Sequence, residues 1–410
     1  MIAYLRAVLI LLTAALLLPY APAAEQKPRA RDLGIPFEGT PGPLNAITDV
    51  TGVEVGATTL IRGDSVRTGV TAVLPRGKSS SDPVFAAWFP LNGNGEMTGT
   101  AWIDEAGFLE GPVFITNTHS VGVVRDAYIK WAVQRGRLFQ PWALPVVAET
   151  YDGTLNDING FHVTPEHVFA SLDTAKTGPV AEGNIGGGTG MTCYGFKCGT
   201  GTASRRLTAA AGGYTVGVLV QANHGGRSQL RIAGVPVGAA LAASRAPVPD
   251  AEQPASKSII IIVATDAPLL PHQLKRVARR AALGLARTGS TAGNGSGDIF
   301  IAFSTANPGA ASGAPTYQAA MLSNRRISAL FDATVQATEE AIINALIAAD
   351  TMIGFNGAKA DAIPHDRLRE ILKKHGYQEI AHARHETRQH FARRHHAAGR
   401  HHERRIHAAR

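Results

Sequence analysis

Residues 258–307 read SIIIIVATDAPLLPHQLKRVARRAALGLARTGSTAGNGSGDIFIAFSTAN. The opening run SIIIIVAT is apolar, continuous and rich in β-branched residues, which predicts a strand covered on both faces. The letters that follow predict a helix from Pro271 to Arg287, a turn in STAGNGSGD and a second strand at Ile299–Thr305. A strand, a helix and a strand in this order predict a layered α/β structure.

The flanking sequence extends the same pattern. Val121–Gln134 has helical spacing, and Thr164-Pro165-Glu166 combines an N-cap threonine with a proline at the first helical position. The glycine-rich segment Gly183–Met191 predicts a loop in which backbones pass closely, and its spacing does not fit a dinucleotide site. Further strands are predicted at Val53–Leu60, Val70–Leu74, Val84–Phe89, Val113–Thr118, Pro145–Thr150 and Tyr214–Ala222, and further helices near Ala333–Met352 and Asp366–His375.

Three segments differ from this folded pattern. Residues 1–24 contain a lone Arg6, an apolar run and small residues up to Ala24, which predict an export signal and a periplasmic or secreted protein. Residues near 241–257 are rich in Ala, Ser and Pro and predict a linker. Residues 381–410 alternate His and Arg, and we expect a disordered cationic tail there.

Composition narrows the classes of protein. Of the 410 residues 45% are hydrophobic, so one large domain, or two closely packed halves, would have a substantial core. The apolar run near the N-terminus is too short for stable membrane insertion, which takes about 20 residues. Much of the excess positive charge lies in the tail, and no nucleic-acid partner is predicted.

The two cysteines, Cys193 and Cys198, leave two interpretations open. They would pair in an oxidising compartment, and four intervening residues permit a small bridged loop. A metal site is the less favoured interpretation, because no second pair of Cys or His ligands lies nearby at a suitable spacing. No metal and no cofactor are predicted.

The search for a nucleophile ends at the junction Lys257–Ser258. The sequence has no G-x-S-x-G elbow, no P-loop and no H-E-x-x-H helix. If the chain were cut before Ser258, this serine would gain an α-amino group with a pKa of about 7.7–8.0 that serves as its own general base. Gly201-Thr202 is a competing cleavage site, disfavoured because no long buried strand is expected directly behind Thr202.

The sequence from about Arg31 to about Gly376 resembles the β-aminopeptidases and the L-aminopeptidase/D-esterase/amidases. The resemblance rests on residues 258–307, on RDLGI and LNAITDVTGVEVG, and on ETYDGTLNDING, GNIGGGTGM and VLVQANHG. It implies a four-layer α/β/β/α sandwich, one compact domain built from both products of self-cleavage. The α subunit would span residues 25–257 and the β subunit residues 258–380. It also implies release of N-terminal residues from short peptides, amides or esters.

The resemblance assigns roles to matching residues. Ser258 would be the nucleophile, Ser296 and Asp298 the polar pair that orients it and relays protons, and Asn223 the donor to the oxyanion. Glu149 would bind the amino group of the substrate. By local pattern alone Ser258 would be a strand start, Ser296 and Asp298 a turn before a strand, Asn223 the end of a strand and Glu149 a solvated or salt-bridged glutamate. Lys257 stands where the family commonly has a small residue or Asn, and Asp298 where its best-known members have Glu.

Two other functions remain open at this point. One is an uncleaved periplasmic binding or structural protein that keeps the fold. The other is acyl transfer to an amine acceptor in place of water. The resemblance further implies that the α and β fragments stay together and assemble as a homo-oligomer, with no cofactor.

Overall fold

A computed structural model describes residues 27–242 and 257–377 of the chain. The predicted export signal, nearly all of the predicted linker and the His/Arg tail lie outside these residues. Within them, no helix is long and apolar enough to cross a membrane.

Two sheets form the framework of the fold. The four-stranded sheet consists, in spatial order, of β1 (Glu54–Arg62), β2 (Val66–Leu74), β5 (Val113–Asn117) and β6 (Val146–Thr150). The six-stranded sheet consists, in spatial order, of β4 (Phe108–Leu109), β3 (Val84–Pro90), β12 (Ser296–Ser304), β11 (Lys257–Thr265), β10 (Thr215–Asn223) and β9 (Thr200–Arg206).

Two short hairpins and seven α-helices complete the described part of the fold. The hairpins are β7 (Thr192–Cys193) with β8 (Phe196–Lys197), and β13 (Met352–Ile353) with β14 (Lys359–Ala360). The helices are α1 (Thr100–Ala106), α2 (Val121–Gln134), α3 (Pro165–Asp173), α4 (Val237–Ala242), α5 (Pro271–Arg287), α6 (Ser328–Ile347) and α7 (His365–Lys374).

Alternation along β11 explains the layers. Because successive side chains of a strand point to opposite faces, Ile259 and Ile261 pack into the core that contains α5 and α6, whereas Ile260 and Ile262 pack toward the four-stranded sheet. A third core lies between that sheet and the helices α2 and α3. The order helix, sheet, sheet, helix confirms the predicted four-layer α/β/β/α sandwich. Full burial of one isoleucine side chain stabilises the fold by about 1.5–3 kcal/mol.

The predicted burial of β11 on both faces is also confirmed. This strand runs antiparallel to β10 and parallel to β12, and all its residues after Lys257 are buried. The helices α2 and α5 have the bounds predicted from the sequence.

One boundary prediction at the site was wrong. The sequence placed Ser296 and Asp298 in a turn, but β12 begins at Ser296, three residues before the predicted start. The parallel register with β11, which pairs Lys257 with Ser296 and Ile259 with Asp298, recruits these residues into the strand. A long-range pairing therefore overrides the local turn signal.

The glycine-rich segment Gly183–Met191 lets backbones pass closely, as predicted. Its residues Gly186–Gly190 form a buried 3₁₀ turn. A Cβ atom at Gly187 would lie 2.2 Å from Gln221 Oε1 and 2.6 Å from the Ile115 carbonyl oxygen. A larger residue therefore does not fit there.

Cys193 and Cys198 form a disulfide with Cα atoms 5.3 Å apart. The structure therefore contains the disulfide, the first of the two interpretations that the sequence left open. Among residues 27–242 and 257–377, no group of three or more His, Cys, Asp or Glu side chains is arranged to hold a metal ion.

Candidate active site

Ser258 is the second residue of β11 and lies between two neighbouring strands. It pairs with Asn223 of β10 on one side and with Gly297 of β12 on the other. Its side chain is buried, and its Oγ accepts the Gly297 N–H at 3.1 Å. By alternation with Ile260, the hydroxyl lies on the face that looks toward the four-stranded sheet.

Ser296 and Asp298 lie beside Ser258, but on the other face of the sheet. Ser296 Oγ donates to Asp298 Oδ1 at 2.7 Å, and by alternation both share the face of Phe300, which packs toward the helices. Within the described residues neither side chain hydrogen-bonds Ser258. The sequence predicts that this pair lies within reach of Ser258, and the structure connects the pair to Ser258 through the backbone of Gly297.

Burial controls the charge of Asp298. The carboxyl group is buried, which raises its pKa to about 6, against the lowering effect of its hydrogen bond from Ser296. The Asp298 N–H donates to Asn92 Oδ1 at 2.8 Å. A carboxyl group that titrates near pH 6 can exchange protons close to neutrality.

Asn223 is held in one orientation. Its Oδ1 accepts the Thr192 N–H at 3.0 Å, and its Nδ2 donates to the Tyr151 carbonyl oxygen at 2.9 Å. Because an amide nitrogen carries two hydrogens, the bond to Tyr151 leaves one N–H for another acceptor. Asn223 is the register partner of Ser258, so this donor lies next to the predicted nucleophile.

Glu149 lies at the end of β6 and is buried. Its Oε1 accepts the Glu96 N–H at 3.0 Å, and its Oε2 accepts the Thr118 hydroxyl at 2.5 Å. Burial raises the pKa of Glu149, while the hydrogen bonds from Thr118 and Glu96 lower it. A cationic amino group beside this carboxylate would offset the cost of burying its charge.

A loop that the sequence analysis did not single out connects Glu149 with β12. We call residues 91–97, with the sequence LNGNGEM, the Asn-Gly loop. Asn94 Nδ2 donates to the Gly295 carbonyl at 3.0 Å, and the Asn94 N–H donates to that of Ser296 at 3.3 Å. A Cβ atom at Gly95 would lie 3.1 Å from Gly297 Cα and 3.2 Å from Glu149 Oε1. The loop therefore brings Glu149 close to the strand that carries Gly297.

Lys257, the residue before the predicted cut, is anchored at both its backbone and its side chain. Its N–H donates to the Gly295 carbonyl at 3.4 Å, and Nζ donates to the Gly225 carbonyl at 3.0 Å. The ammonium group thus holds the acyl side of the Lys257–Ser258 bond against the end of β10.

His224 also lies at the site, next to Asn223, and the sequence alone assigns it no role. It is buried, and burial, helped by the charge of Lys257, lowers its pKa to about 3. The ring packs edge-on against Tyr194 with centroids 5.0 Å apart, and neither ring nitrogen has a hydrogen-bond partner among the described residues. The sequence feature that pointed to His224 was Asn223-His224-Gly225, which directly follows the predicted buried strand Tyr214–Ala222.

Gly201-Thr202, the competing cleavage site, lies in β9. Only residues 203–206 of this strand follow Thr202, and Arg206 is exposed, so no long buried strand lies directly behind Thr202. Its hydroxyl is already engaged, since Oγ1 donates to the Val218 carbonyl at 2.7 Å and accepts the Ile47 N–H at 2.8 Å. Thr202 is thus a structural hydroxyl that ties two segments to β9.

Comparison with known proteins gives consistent matches. The profile of peptidase family S58 matches residues 45–360. Beta-peptidyl aminopeptidase BapA of Sphingosinicella microcystinivorans is 55% identical over 381 residues, which cover 88% of this chain and 96% of that protein. The enzyme of the same name from Sphingosinicella xenopeptidilytica is 52% identical over 384 residues, covering 88% of this chain and 95% of that protein.

Two solved structures share the fold. A Burkholderia sp. beta-aminopeptidase is similar with a TM-score of 0.79 and 51% identity, covering 86% of this chain and 100% of that one. The L-aminopeptidase D-Ala-esterase/amidase of Ochrobactrum anthropi, described as a prototype of the serine aminopeptidases and a variant of the Ntn hydrolase fold, has a TM-score of 0.80 and 50% identity. That match covers 86% of this chain and 99% of the Ochrobactrum chain.

Proposed function

This chain belongs to peptidase family S58 and is a serine aminopeptidase with an N-terminal nucleophile, and we propose that it activates itself by cutting the Lys257–Ser258 bond. One observation carries the assignment of the nucleophile. Ser258 is the second residue of the buried strand β11, with Asn223 and the Gly297 N–H as its two neighbours.

Maturation proceeds in two steps. Ser258 Oγ attacks the carbonyl carbon of Lys257 and transfers its proton to the departing nitrogen, so the peptide C–N bond breaks and an ester forms. Water then hydrolyses the ester, which yields the Lys257 carboxylate and restores the Ser258 hydroxyl. The Gly297 N–H, which contacts Oγ at 3.1 Å, supports this step by fixing the attacking atom.

Turnover uses the amine that maturation creates. The α-amino group of Ser258 takes the proton of Oγ as the hydroxyl attacks the substrate carbonyl, and it gives that proton to the departing amine or alcohol as the scissile bond breaks. Water then hydrolyses the acyl ester, which releases the acyl product and restores the Ser258 hydroxyl. Asn223 Nδ2 stabilises the oxyanion with its remaining N–H. Cleavage also releases the N-terminus of β11 from the ladder, so the amine can turn toward the hydrogen-bonded pair Ser296–Asp298, which orients it.

The substrate class follows from Glu149 and from the relatives. A buried carboxylate with a raised pKa favours a cationic group beside it, and the free amino group of a substrate supplies one. We therefore assign short peptides, amides or esters with a free N-terminus, including β-amino or D-residues, as the substrates. None of these steps uses a cofactor.

Contacts between the two fragments support their remaining together after cleavage. Glu340 of the β fragment is buried and forms ion pairs at 2.7 Å with both Arg31 and Arg205 of the α fragment. The ladder between β10 and β11 also joins the fragments. Export through residues 1–24 and assembly of several αβ units are further parts of the proposal.

A denaturing gel and N-terminal sequencing test the proposal directly. We expect two bands, one beginning at Ser258, and Ser258→Ala should leave a full-length, inactive precursor. An intact chain that is fully active would overturn self-activation, and an intact chain without aminopeptidase activity, unchanged by Ser258→Ala, would point to the uncleaved binding or structural alternative. Rates with and without an amine acceptor separate hydrolysis from acyl transfer.

A further inference from the structure

A disulfide-closed hairpin lies directly against the end of β10. We call residues 192–198, which contain β7 and β8 and the Cys193–Cys198 disulfide, the bridged hairpin. Both cysteines are buried. The segment is not part of the chemistry described above, yet it contacts two consecutive residues at the site.

Two backbone groups of the bridged hairpin hold the Asn223-His224 segment. The Thr192 N–H donates to Asn223 Oδ1 at 3.0 Å, and the Tyr194 N–H donates to the His224 carbonyl at 2.8 Å. The first bond acts on the side chain of Asn223 and the second on the backbone that carries it. The hairpin thus fixes both the position and the rotation of the amide group.

The bond to Oδ1 determines where the amide donates. An asparagine side chain has an acceptor at one end and donors at the other, and the two ends exchange when the amide flips. Because a backbone N–H occupies Oδ1, a flipped amide would set two donors against each other. Nδ2 is therefore directed away from Thr192, to the Tyr151 carbonyl and the side of Asn223 next to Ser258.

The turn of the bridged hairpin places one residue in an unfavourable backbone conformation. Tyr194 has a φ of 52°, in the left-handed region that a residue with a side chain disfavours, and Gly195 follows with a φ of 68°. The Cys193–Cys198 bridge closes the chain around this turn. Without it, Tyr194 can relax, and the two N–H groups that hold Asn223 and His224 would shift.

A buried lysine strengthens the same connection. Lys197 Nζ donates to the carbonyl oxygens of Met191 at 2.9 Å and Cys198 at 2.5 Å. It therefore links the residue before Thr192 to the far cysteine. The disulfide and the Lys197 hydrogen bonds therefore both hold together the base of the hairpin, where the Thr192 N–H donates to Asn223.

We propose that the Cys193–Cys198 disulfide is a positioning element for Asn223, and that its reduction lowers the turnover rate of the mature aminopeptidase. The inference rests on the proposed function, since it takes Asn223 as the oxyanion donor. A bridge that closes so short a loop constrains the unfolded chain less than a bridge across a long one. Its main effect is therefore local.

The test uses the fact that the chain has only two cysteines, so any effect of a thiol reductant on thiols reports on this bridge. Mature enzyme is reduced with dithiothreitol, and thiol titration establishes that both cysteines are free. We expect kcat to fall about tenfold, part of the 10²–10³ lost when an oxyanion donor is removed. KM should stay within about twofold, because the donor acts in the transition state.

Two variants complete the test. The double variant Cys193→Ala/Cys198→Ala should have the same low kcat as the reduced enzyme, and dithiothreitol should not change it. If dithiothreitol does not open the disulfide in the parent enzyme, this variant tests the same prediction. Arg227→Met is the matched control, because it removes the contacts of Arg227 with the Phe196 ring and the Gly195 carbonyl at the hairpin tip. It should lower Tm and leave kcat unchanged.

The outcomes separate the inference from the function on which it rests. No aminopeptidase activity in the oxidised, unaltered protein would overturn the proposed function. An active enzyme whose kcat is unchanged after both cysteines are reduced or replaced would overturn only the positioning role. An equal fall of kcat in Arg227→Met would also overturn the positioning role. It would show that any destabilisation of the bridged hairpin lowers kcat, with or without the disulfide.

Discussion

Gly297 donates its backbone N–H to Ser258 Oγ at 3.1 Å, and its Cα also packs against the Asn-Gly loop. A Cβ atom at Gly297 would lie 2.4 Å from the Asn94 carbonyl oxygen and 2.8 Å from Gly95 Cα. The glycine therefore lets the loop and the nucleophile approach the same peptide group.

We expect Gly297→Ala to slow self-cleavage at least tenfold, because the methyl group displaces the loop and moves the N–H away from Ser258. Overpacking of this kind costs about 1–3 kcal/mol of stability. Gly293→Ala is the matched control, since a Cβ at Gly293 meets nothing within 4 Å. Cleavage followed over time on denaturing gels provides the measurement, and equal rates for the two variants would contradict the prediction.

The pH profile should reveal Asp298. Burial raises its pKa to about 6, so kcat/KM should fall as the pH drops below about 6 and the carboxylate takes up a proton. Asp298→Asn should remove this acidic limb. Asp266→Asn is the control, because Asp266 is half-buried and also has a raised pKa but accepts the Thr215 N–H at the other end of the sheet. A limb that persists in Asp298→Asn would exclude the assignment.

The same carboxyl group affects stability with the opposite sign. Since the folded-state pKa lies above the usual 3.8, Asp298 contributes stability that is complete below about pH 4 and is lost as the pH rises through about 6. Loss of activity at acidic pH is therefore not unfolding caused by this group. Denaturant midpoints at pH 5 and pH 7, compared between the parent and Asp298→Asn, measure the effect.

Glu149→Gln should raise KM for substrates with a free amino group about 10–100-fold, because a hydrogen bond to a charged group contributes about 1.5–3 kcal/mol. The same substrates lacking that amino group should be poor for the parent enzyme and nearly unaffected by the substitution. Glu105→Gln removes an exposed carboxylate and serves as the control. Initial rates over a range of substrate concentrations decide between KM and kcat, and an effect on kcat alone would reject the amine-binding role.

Lys257→Ala should speed self-cleavage up to about fivefold. The Nζ bond to the Gly225 carbonyl at 3.0 Å holds residue 257 extended, whereas the attack requires its carbonyl carbon to turn toward Ser258 Oγ. Loss of one such bond is worth about 0.5–1.5 kcal/mol. Lys257→Met keeps the length without the donor, so a rate equal to that of Lys257→Ala would identify the tether as the cause. A slower Lys257→Ala would contradict this explanation.

Glu340→Gln should destabilise the whole protein by about 3–5 kcal/mol, since it leaves the buried guanidinium of Arg205 without its carboxylate. Burial alone would raise the pKa of Glu340, but the hydrogen bond from Arg31 and the charge of Arg205 bring it below the usual value. Its stabilisation is therefore present at neutral pH and lost in acid. Thermal melts show the effect, and Glu370→Gln, which loses only the exposed pair with Arg367, should be near neutral.

The sequence predicts the elements that depend on local pattern. The bounds of α5 and the burial of β11 follow from periodicity and from a continuous apolar run, and both are confirmed. Ser296 and Asp298 were placed in a turn because local letters do not reveal the pairing with β11, which lies about 40 residues earlier in the chain. The sheet also separates this pair from the Ser258 hydroxyl by face, which spacing alone does not show.

The supporting residues of the site depend on contacts that are distant in sequence. Asn92 reaches Asp298 across 206 positions, and the Glu96 N–H reaches Glu149 across 53. The repeated Asn-Gly pairs of that loop were a signal for a tight polar turn, but not for its partner. The orientation of Asn223 likewise depends on Thr192. Thr192 adjoins the Cys193–Cys198 disulfide, and the sequence alone did not decide whether these two cysteines pair.

The position of the cut at the start of β11 also affects how the protein can be rebuilt after unfolding. In the proposed mature form, β10 and β11 belong to different polypeptides, although they are neighbours in the middle of one sheet. Refolding of the precursor is then a first-order process, whereas recovery of the mature enzyme requires two chains to meet and depends on concentration. Refolding at low protein concentration should therefore recover the precursor in full but almost none of the active two-chain enzyme.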